Sequence, residues 1–290
     1  MKEFQIVVLA KQVPDTRNVG KDAMKADGTV NRSVLPAIFN PEDLHALEQA
    51  LRIKDKFPDS VITLLTMGPV RASEILREGF YRGADDGILL TDRAFAGSDT
   101  LATSYALSCA IRKIKNFDII VCGRQAIDGD TAQVGPQVAE KLGIPQITYA
   151  EEIVSLTKDK IQVKRRLERG IEIVESSLPI LITVNNSAPH CRPRNAKRLM
   201  KYKHASTLSK RQESEEDYLS TGANSHLTIK EWGVADIECD LKQLGIGGSP
   251  TKVKKVDNIV FQSKESRRLE DFDEDIQILM KELITSHIIG

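Results

Sequence analysis

The chain has 290 residues, room for one large domain or two smaller ones, and its 41% hydrophobic and 28% charged content is that of a soluble globular protein. Its 41 basic and 41 acidic residues cancel, which argues against a general nucleic-acid binder. No apolar run is long enough to span a membrane, and four cysteines without a CxxC pair, Cys109, Cys122, Cys191 and Cys239, read as the reduced thiols of a cytoplasmic protein.

In chain order, "MKEFQIVVLAKQ" is too briefly apolar for a signal peptide and predicts a first strand over Phe4 to Ala10. "NPEDLHALEQALRIKD" places Leu44, Leu47, Ala50 and Leu51 at helical spacing, with Asn40 and Pro41 as cap and first turn. "SVITLLTMG" is a second buried strand, "RASEILREGFYRGA" a helix stopped at Gly83, and "DGILLTD" a third strand. "SDTLATSYALSCAIRKI" is a helix opened by Ser98 or Asp99, "FDIIVCG" a fourth strand, "TAQVGPQVAEKLG" another helix and "PQITYA" a short strand. Near-continuous apolar strands alternating with helices predict a Rossmann-like α/β/α fold, a parallel sheet covered on both faces. Ligands in such sheets bind outside the carboxyl ends of the strands, where the strand order switches.

After residue 150 the pattern changes. "EIVSLTKDKIQVKRRLERGIEIVESSLPILITV" alternates with period two and turns at Lys158-Asp159 and near Gly170. It predicts a β-meander that ends in the buried strand Pro179 to Val184. Residues 186 to 225 are polar, a basic half followed by an acidic half, and predict an exposed loop plus a helix. The tail from Leu227 carries "GIGGSPTKVKKV", an acidic turn and an amphipathic helix "IQILMKELITSHI". It reads as loosely attached to the core and as wrapping a partner.

"CGRQAIDGDTAQVGPQVAEKLG" joins the end of a buried strand to the start of a helix. Amides at a helix start carry unsatisfied donors and bind phosphate well. Gly129 leaves room for a ligand, and Thr131 and Gln133 can donate to phosphate oxygens. Asp128 and Asp130 would repel an anion, so they are read as capping the helix, accepting a ribose hydroxyl, or ordering the loop through Arg124. A plain capped turn explains the same residues. Lys11 and Asp15, in "AKQVPDT", leave the same sheet edge. There is no GxGxxG, P-loop, HExxH or GxSxG, so dinucleotide, metal and nucleophile signatures are all missing. The basic run Arg192 to Lys203 is open to three readings: a solvated face, an anion site or a docking surface. The residues thus point to a nucleotide-binding α/β protein and stop short of a reaction.

The stretch "CGRQAIDGDTAQVGPQVAEKLGIPQIT" resembles the signature of the electron transfer flavoprotein β-subunit. "VVLAKQVPDT", "FNPEDLHALEQALRIKD", "LLTMGP" and "RGADDGILLTDRAFAGSDTLATS" extend the resemblance over nearly the whole chain. It implies an adenine-nucleotide-hydrolase-like core over 1–225, with the meander and a recognition loop, and an arm over 226–290 that contacts an α-subunit. It implies an electron carrier subunit rather than a stand-alone enzyme. It implies that the α-subunit holds one FAD and that this chain binds a nucleotide of its own. That nucleotide is AMP in conventional members. In electron-bifurcating members it is a second FAD, which takes hydride from NADH and serves the α-subunit FAD and a ferredoxin or flavodoxin.

The small residues from Asp128 to Pro136, with "VPDT" and "GSPTKV", are similar to the bifurcating type, so FAD is expected and AMP is the alternative. A non-redox nucleotide-binding regulatory module is disfavoured by the meander and tail. By position, the resemblance assigns Leu9, Lys11, Asn40, Pro41, Asp43, Met67 and Gly68 to the walls of the nucleotide site. It assigns Gly123, Arg124, Gln125, Ala126, Asp128, Gly129, Asp130, Thr131, Gln133, Val134 and Gly135 to the adenosine and phosphates. Arg192 to Lys203 corresponds to the loop that docks dehydrogenases. The family's docking leucine falls near Ala196, and a polar insertion spans about Ser206 to Asn224, which puts a standard acyl-CoA dehydrogenase in doubt as the partner.

Overall fold

The computed structural model describes residues 3–15, 36–213, 227–251, 268–270 and 272–289. The first strand, β1 (Gln5–Leu9), shows why the core forms as it does. Ile6 and Val8 enter one apolar cluster and Val7 and Leu9 the other. Both faces of the strand are therefore dry, as a parallel sheet under helices requires. A short hairpin of β2 (Gln12–Pro14) and β3 (Ala37–Phe39) leads to helix α1 (Pro41–Lys56). Then follow β4 (Val61–Met67), α2 (Ser73–Arg82), β5 (Asp86–Leu90), α3 (Thr100–Ile114), β6 (Ile119–Gly123) and α4 (Val134–Leu142). Helices α1 and α2 pack on one face of the sheet, and α3 and α4 on the other.

Strands β7 (Gln146–Leu156), β8 (Lys160–Leu167) and β9 (Gly170–Ser177) form the meander, followed by β10 (Ile180–Val184). Beyond them lie α5 (Ala196–Tyr202), β11 (Ser206–Thr207), α6 (Leu208–Glu213), β12 (Thr228–Trp232) and α7 (Asp273–Thr285). Ten of the strands form one sheet in the order β11-β12-β5-β4-β1-β6-β10-β7-β8-β9, antiparallel only at β7-β8-β9. From β1 the chain steps outward to β4 and β5, then crosses back to β6 on the other side of β1. The switch in strand order therefore lies between β1 and β6. The sheet is the parallel α/β core expected from the alternation.

Three expectations change. Strand β10 does not close the meander. It inserts parallel between β6 and β7, pairing Ile180 to Ile119 and Leu181 to Gln146. All five of its residues are buried, so it needs cover on both faces, which the half-wet meander does not offer. The short strand read at 145–150 runs on to Leu156 and is the first strand of the meander.

The start of the tail is not loosely attached. Strand β12 pairs with β5, and Leu227, Ile229, Ile237 and Leu244 are buried in the two cores. Residues 252–267 of the tail, 214–226 of the insertion, and Thr16 of "VPDT" lie outside the described residues.

The three arginines of the basic run are engaged within the molecule. Arg192 pairs with Glu48 and Asp55, Arg194 with Glu78, and Arg198 donates to the carbonyls of Phe80 and Ala84. Among the described residues no helix is long and apolar enough to cross a membrane.

Candidate functional site

At the carboxyl ends of β1 and β6 lies a cavity of about 360 Å³. The loop after β6 forms one wall, and its course is set by α1. Gly123 N donates to Asp43 Oδ1 at 2.9 Å, Gln125 N to Glu42 Oε2 at 3.0 Å, and Ile127 N to Asn40 Oδ1 at 3.3 Å. Three acceptors in the first turn of α1 thus take alternate amides of the loop. Asn40 Nδ2 completes the clamp with a 2.9 Å bond to the Gln125 carbonyl. Asn40 occupies the cap position of α1, yet its side chain makes no cap hydrogen bond, because the loop uses both its polar atoms. The expected cap is instead a strut. Gly123 is required here: a Cβ would stand 2.6 Å from Asp43 Oδ1 and from the Glu42 carbonyl carbon.

Further along, Gly129 N and Asp130 N return to the Ala126 carbonyl at 3.3 and 3.0 Å. Asp130 and Ala132 both take positive φ, 49° and 52°. Left-handed residues alternating with an ordinary one turn successive amides inward, the geometry of an anion-binding nest. The helix read as beginning at Thr131 therefore starts only at Val134. No described hydrogen bond uses the amides of Thr131, Ala132, Gln133, Val134 or Gly135. These are the donors a helix start leaves open. Gly135 lets the helix approach the sheet, since a Cβ there would lie 2.8 Å from Cys122 Sγ. At Gly129 a Cβ would meet nothing within 4 Å.

The charged groups are mutually engaged. Lys11 Nζ bridges to Asp128 at 2.7 Å, Arg124 to Glu42 at 3.0 Å, and Gln125 Nε2 donates to Asp130 at 2.9 Å. Arg124 therefore orders the loop through Glu42, and neither Asp128 nor Asp130 caps α4. The pairing with Glu42 holds the Arg124 guanidinium above its ordinary range. Asp43 is the buried exception. Its oxygens accept from Lys11 N at 2.8 Å and Gly123 N, linking the two strands at the switch point. Burial nonetheless pushes its carboxyl up from 3.8 to about 7. Burial also raises the Cys122 thiol, which makes it an inert part of the wall.

Of the residues assigned from sequence, Leu9, Lys11, Asp43, Met67, Gly123, Arg124, Gln125, Ala126, Gly129, Asp130, Thr131, Gln133, Val134 and Gly135 line this cavity. Asn40, Pro41, Gly68 and Asp128 do not line it, and Pro41 lines a separate cavity with Phe39 and His45. Ser98, Asp99, Thr100 and Thr103, at the start of α3, also line it; the sequence marks the first two only as a helix cap and the threonines only as helix. Asp99 does cap α3, through Leu101 N and Ala102 N, and it also accepts from Thr251 N at 3.0 Å. The signal available for them was their place, since α3 follows β5 at the same sheet edge. Leu65, Leu107 and Cys122 gave no signal, because hydrophobic periodicity reports burial and not what a side chain faces. Among the described residues no group of three or more His, Cys, Asp or Glu could hold a metal ion.

The family model of the electron transfer flavoprotein domain matches residues 27–207. The electron transfer flavoprotein subunit beta of Megasphaera elsdenii is 46% identical over 259 residues, 87% of this chain and 87% of its own length. The chain belongs to the electron transfer flavoprotein β-subunit family. The acryloyl-CoA reductase electron transfer subunit gamma of Anaerotignum propionicum is 40% identical over 303 residues, 99% of this chain and 100% of its own length. The caffeyl-CoA reductase-Etf complex subunit CarD of Acetobacterium woodii is 50% identical over 180 residues, 62% of this chain and 68% of its own length. The match to the electron transfer flavoprotein domain spans α1, the clamp and the whole loop after β6. It ends at the edge strand β11, so β12 and α7 lie beyond it.

Proposed function

We propose that this chain is the β-subunit of a heterodimeric electron transfer flavoprotein, that it binds FAD in the switch-point cavity, and that it serves electron passage between NADH or a dehydrogenase and the FAD of an α-subunit. The observation that carries this reading is the row of five unused amides from Thr131 to Gly135, facing a cavity with an apolar back wall of Leu9, Leu65, Met67 and Leu107. A dinucleotide needs both features, donors for its pyrophosphate and an apolar bed for its rings.

The residues fit that group. The nest at Asp130–Ala132 and the first turn of α4 would hold the phosphates. Gly129 and Ala132 keep the rim free of bulk, and Gln133, with Oε1 taken by Thr100 at 3.0 Å, presents its amide nitrogen as a donor. Asn40, Glu42 and Asp43 hold the loop in register so that these donors are placed before any ligand arrives, which spares ordering entropy on binding. A bound flavin would supply the exchange between two-electron and one-electron chemistry. The reading names NADH as electron source and a ferredoxin or flavodoxin as second acceptor, in a cytoplasmic complex.

The names of two relatives place them with CoA-ester reductases. We assign this chain a dehydrogenase or reductase of that acyl-CoA class, docking at the 192–203 segment. The arginines there serve the fold, and the exposed residues left for docking include Lys197, Met200, Lys201 and Lys203. The amphipathic helix α7 is assigned to the α-subunit.

The test is to co-express the chain with its α-subunit, denature the pure complex and quantify released nucleotides. Two FAD per heterodimer is the expected result. One FAD with one AMP would make the cavity an AMP site and the chain a conventional electron shuttle.

A further inference from the structure

The cavity presents an electrostatic problem to any phosphate ligand. Its two cations, Lys11 and Arg124, are already paired with Asp128 and Glu42. Asp99 and Asp130 add negative charge at the rim. Asp43 sits on the same wall, almost wholly buried, with two backbone amides and the Asn40 side chain, but no cation, on its oxygens. The titratable and charged groups around it are Glu42 on its own helix, Lys11 from the end of β1, and Cys122 and Arg124 from the end of β6. Lys11 gives it only a backbone amide, because its ammonium is turned to Asp128. An ionised Asp43 beside a bound pyrophosphate would be a buried like-charge pair, and such a pair sheds a charge by taking up a proton. The carboxylate nearest to doing so is the buried, cation-free one.

We propose that binding of an anionic nucleotide in this cavity is coupled to uptake of one proton by Asp43, so that this carboxyl sets the pH range over which the cofactor is retained. The proposal rests on the nucleotide-site reading above. In balance, the site with Asp43 ionised plus nucleotide plus one proton gives the loaded site with Asp43 neutral. Both amide bonds survive the change, because each oxygen keeps a lone pair for its donor. Burial by itself raises the Asp43 carboxyl to about 7, so the coupling falls in the physiological range.

The test uses the complex with the α-subunit, its own FAD in place. FAD is the probe, since its diester pyrophosphate keeps a constant charge from about pH 6 to about pH 9. Titration calorimetry in two buffers of different ionisation enthalpy counts the protons. The expected result is a flat Kd below about pH 6.5, a rise approaching tenfold per pH unit above about pH 7.5, and uptake approaching one proton per FAD. Asp43→Asn should abolish both the slope and the uptake. Binding with pH-independent Kd and no uptake overturns the coupling and leaves the cofactor reading standing. A slope that persists in Asp43→Asn overturns the assignment to Asp43. Absence of any FAD uptake beyond the α-subunit's complement, at every pH, overturns both. Should Asp43→Asn fail to assemble, the wild-type proton count decides alone.

Discussion

Gly129 and Gly123 stand six residues apart in one loop and do different work. Gly129 faces open space, and its φ is not in the left-handed region, so the fold tolerates a side chain there. Gly129→Asp should leave the unfolding free energy within about 0.5 kcal/mol of wild type. It should cut co-purified nucleotide severalfold, since a carboxylate would stand at the phosphate rim. Nucleotide content unchanged in the purified complex would remove Gly129 from the site. Asp43 carries the pH signature. In the fold it keeps its proton to about 7, whereas its ordinary value is 3.8. Between those values the folded chain binds more protons than the unfolded one, so this contribution to stability is complete at low pH and is lost as pH rises. The wild-type advantage over Asp43→Asn should therefore shrink by about 2–3 kcal/mol from about pH 5 to about pH 8, read from urea midpoints. A constant difference would mean that Asp43 is ionised throughout.

The first turn of α1 and the loop after β6 act as one unit. Glu42 accepts from Gln125 N and from Arg124, and both would lose a charged partner if it were removed. Glu42→Ala should cost about 2–3 kcal/mol and loosen the nucleotide as well, because a hydrogen bond to a buried charge is worth more than a neutral one. The exposed pair Lys160–Glu175 on the meander is the control. Glu175→Ala should leave the urea midpoint at its wild-type position, since an exposed ion pair is screened by water. Equal losses in the two variants would show that the clamp is an ordinary surface pairing. Helix α1 was legible from its 3.6-residue period and its Pro41. Its second role was not, because a period identifies the buried face and says nothing of which loop the first turn receives.

Across the whole molecule, the tail divides into two parts with different fates. Leu244 is 3% exposed and lies in the core under α3, whereas α7 buries none of its residues. Leu244→Ala should destabilise the chain by about 2–4 kcal/mol, the loss of transfer energy plus a cavity. Removing 268–290 should leave the unfolding midpoint of the chain unchanged and abolish co-purification with the α-subunit. Ile276, Ile278, Met280 and Ile284 are 44–53% exposed on that helix, an apolar surface that a partner must cover. A truncated chain that still pulled down its partner at wild-type yield would move the interface elsewhere.

Composition, the alternation of apolar strands with helices, and the strand-to-helix loop after "DIIVCG" were enough to determine the α/β class and to point to the edge of the sheet where the cavity lies. Those are local properties: periodicity marks which faces are buried, and glycine with helix-start chemistry marks where a chain turns. Tertiary structure alone decided that β10 slips between β6 and β7, that β12 extends the sheet beyond β5, that Asn40, Glu42 and Asp43 grip the loop, and that Arg192, Arg194 and Arg198 are engaged within the molecule. Each depends on partners 34 to 144 residues away in sequence, from Val184 with Ala150 to Arg192 with Glu48. Strand order and ion pairing are settled by which buried groups find covers and counter-charges in space, and no stretch of sequence records that by itself.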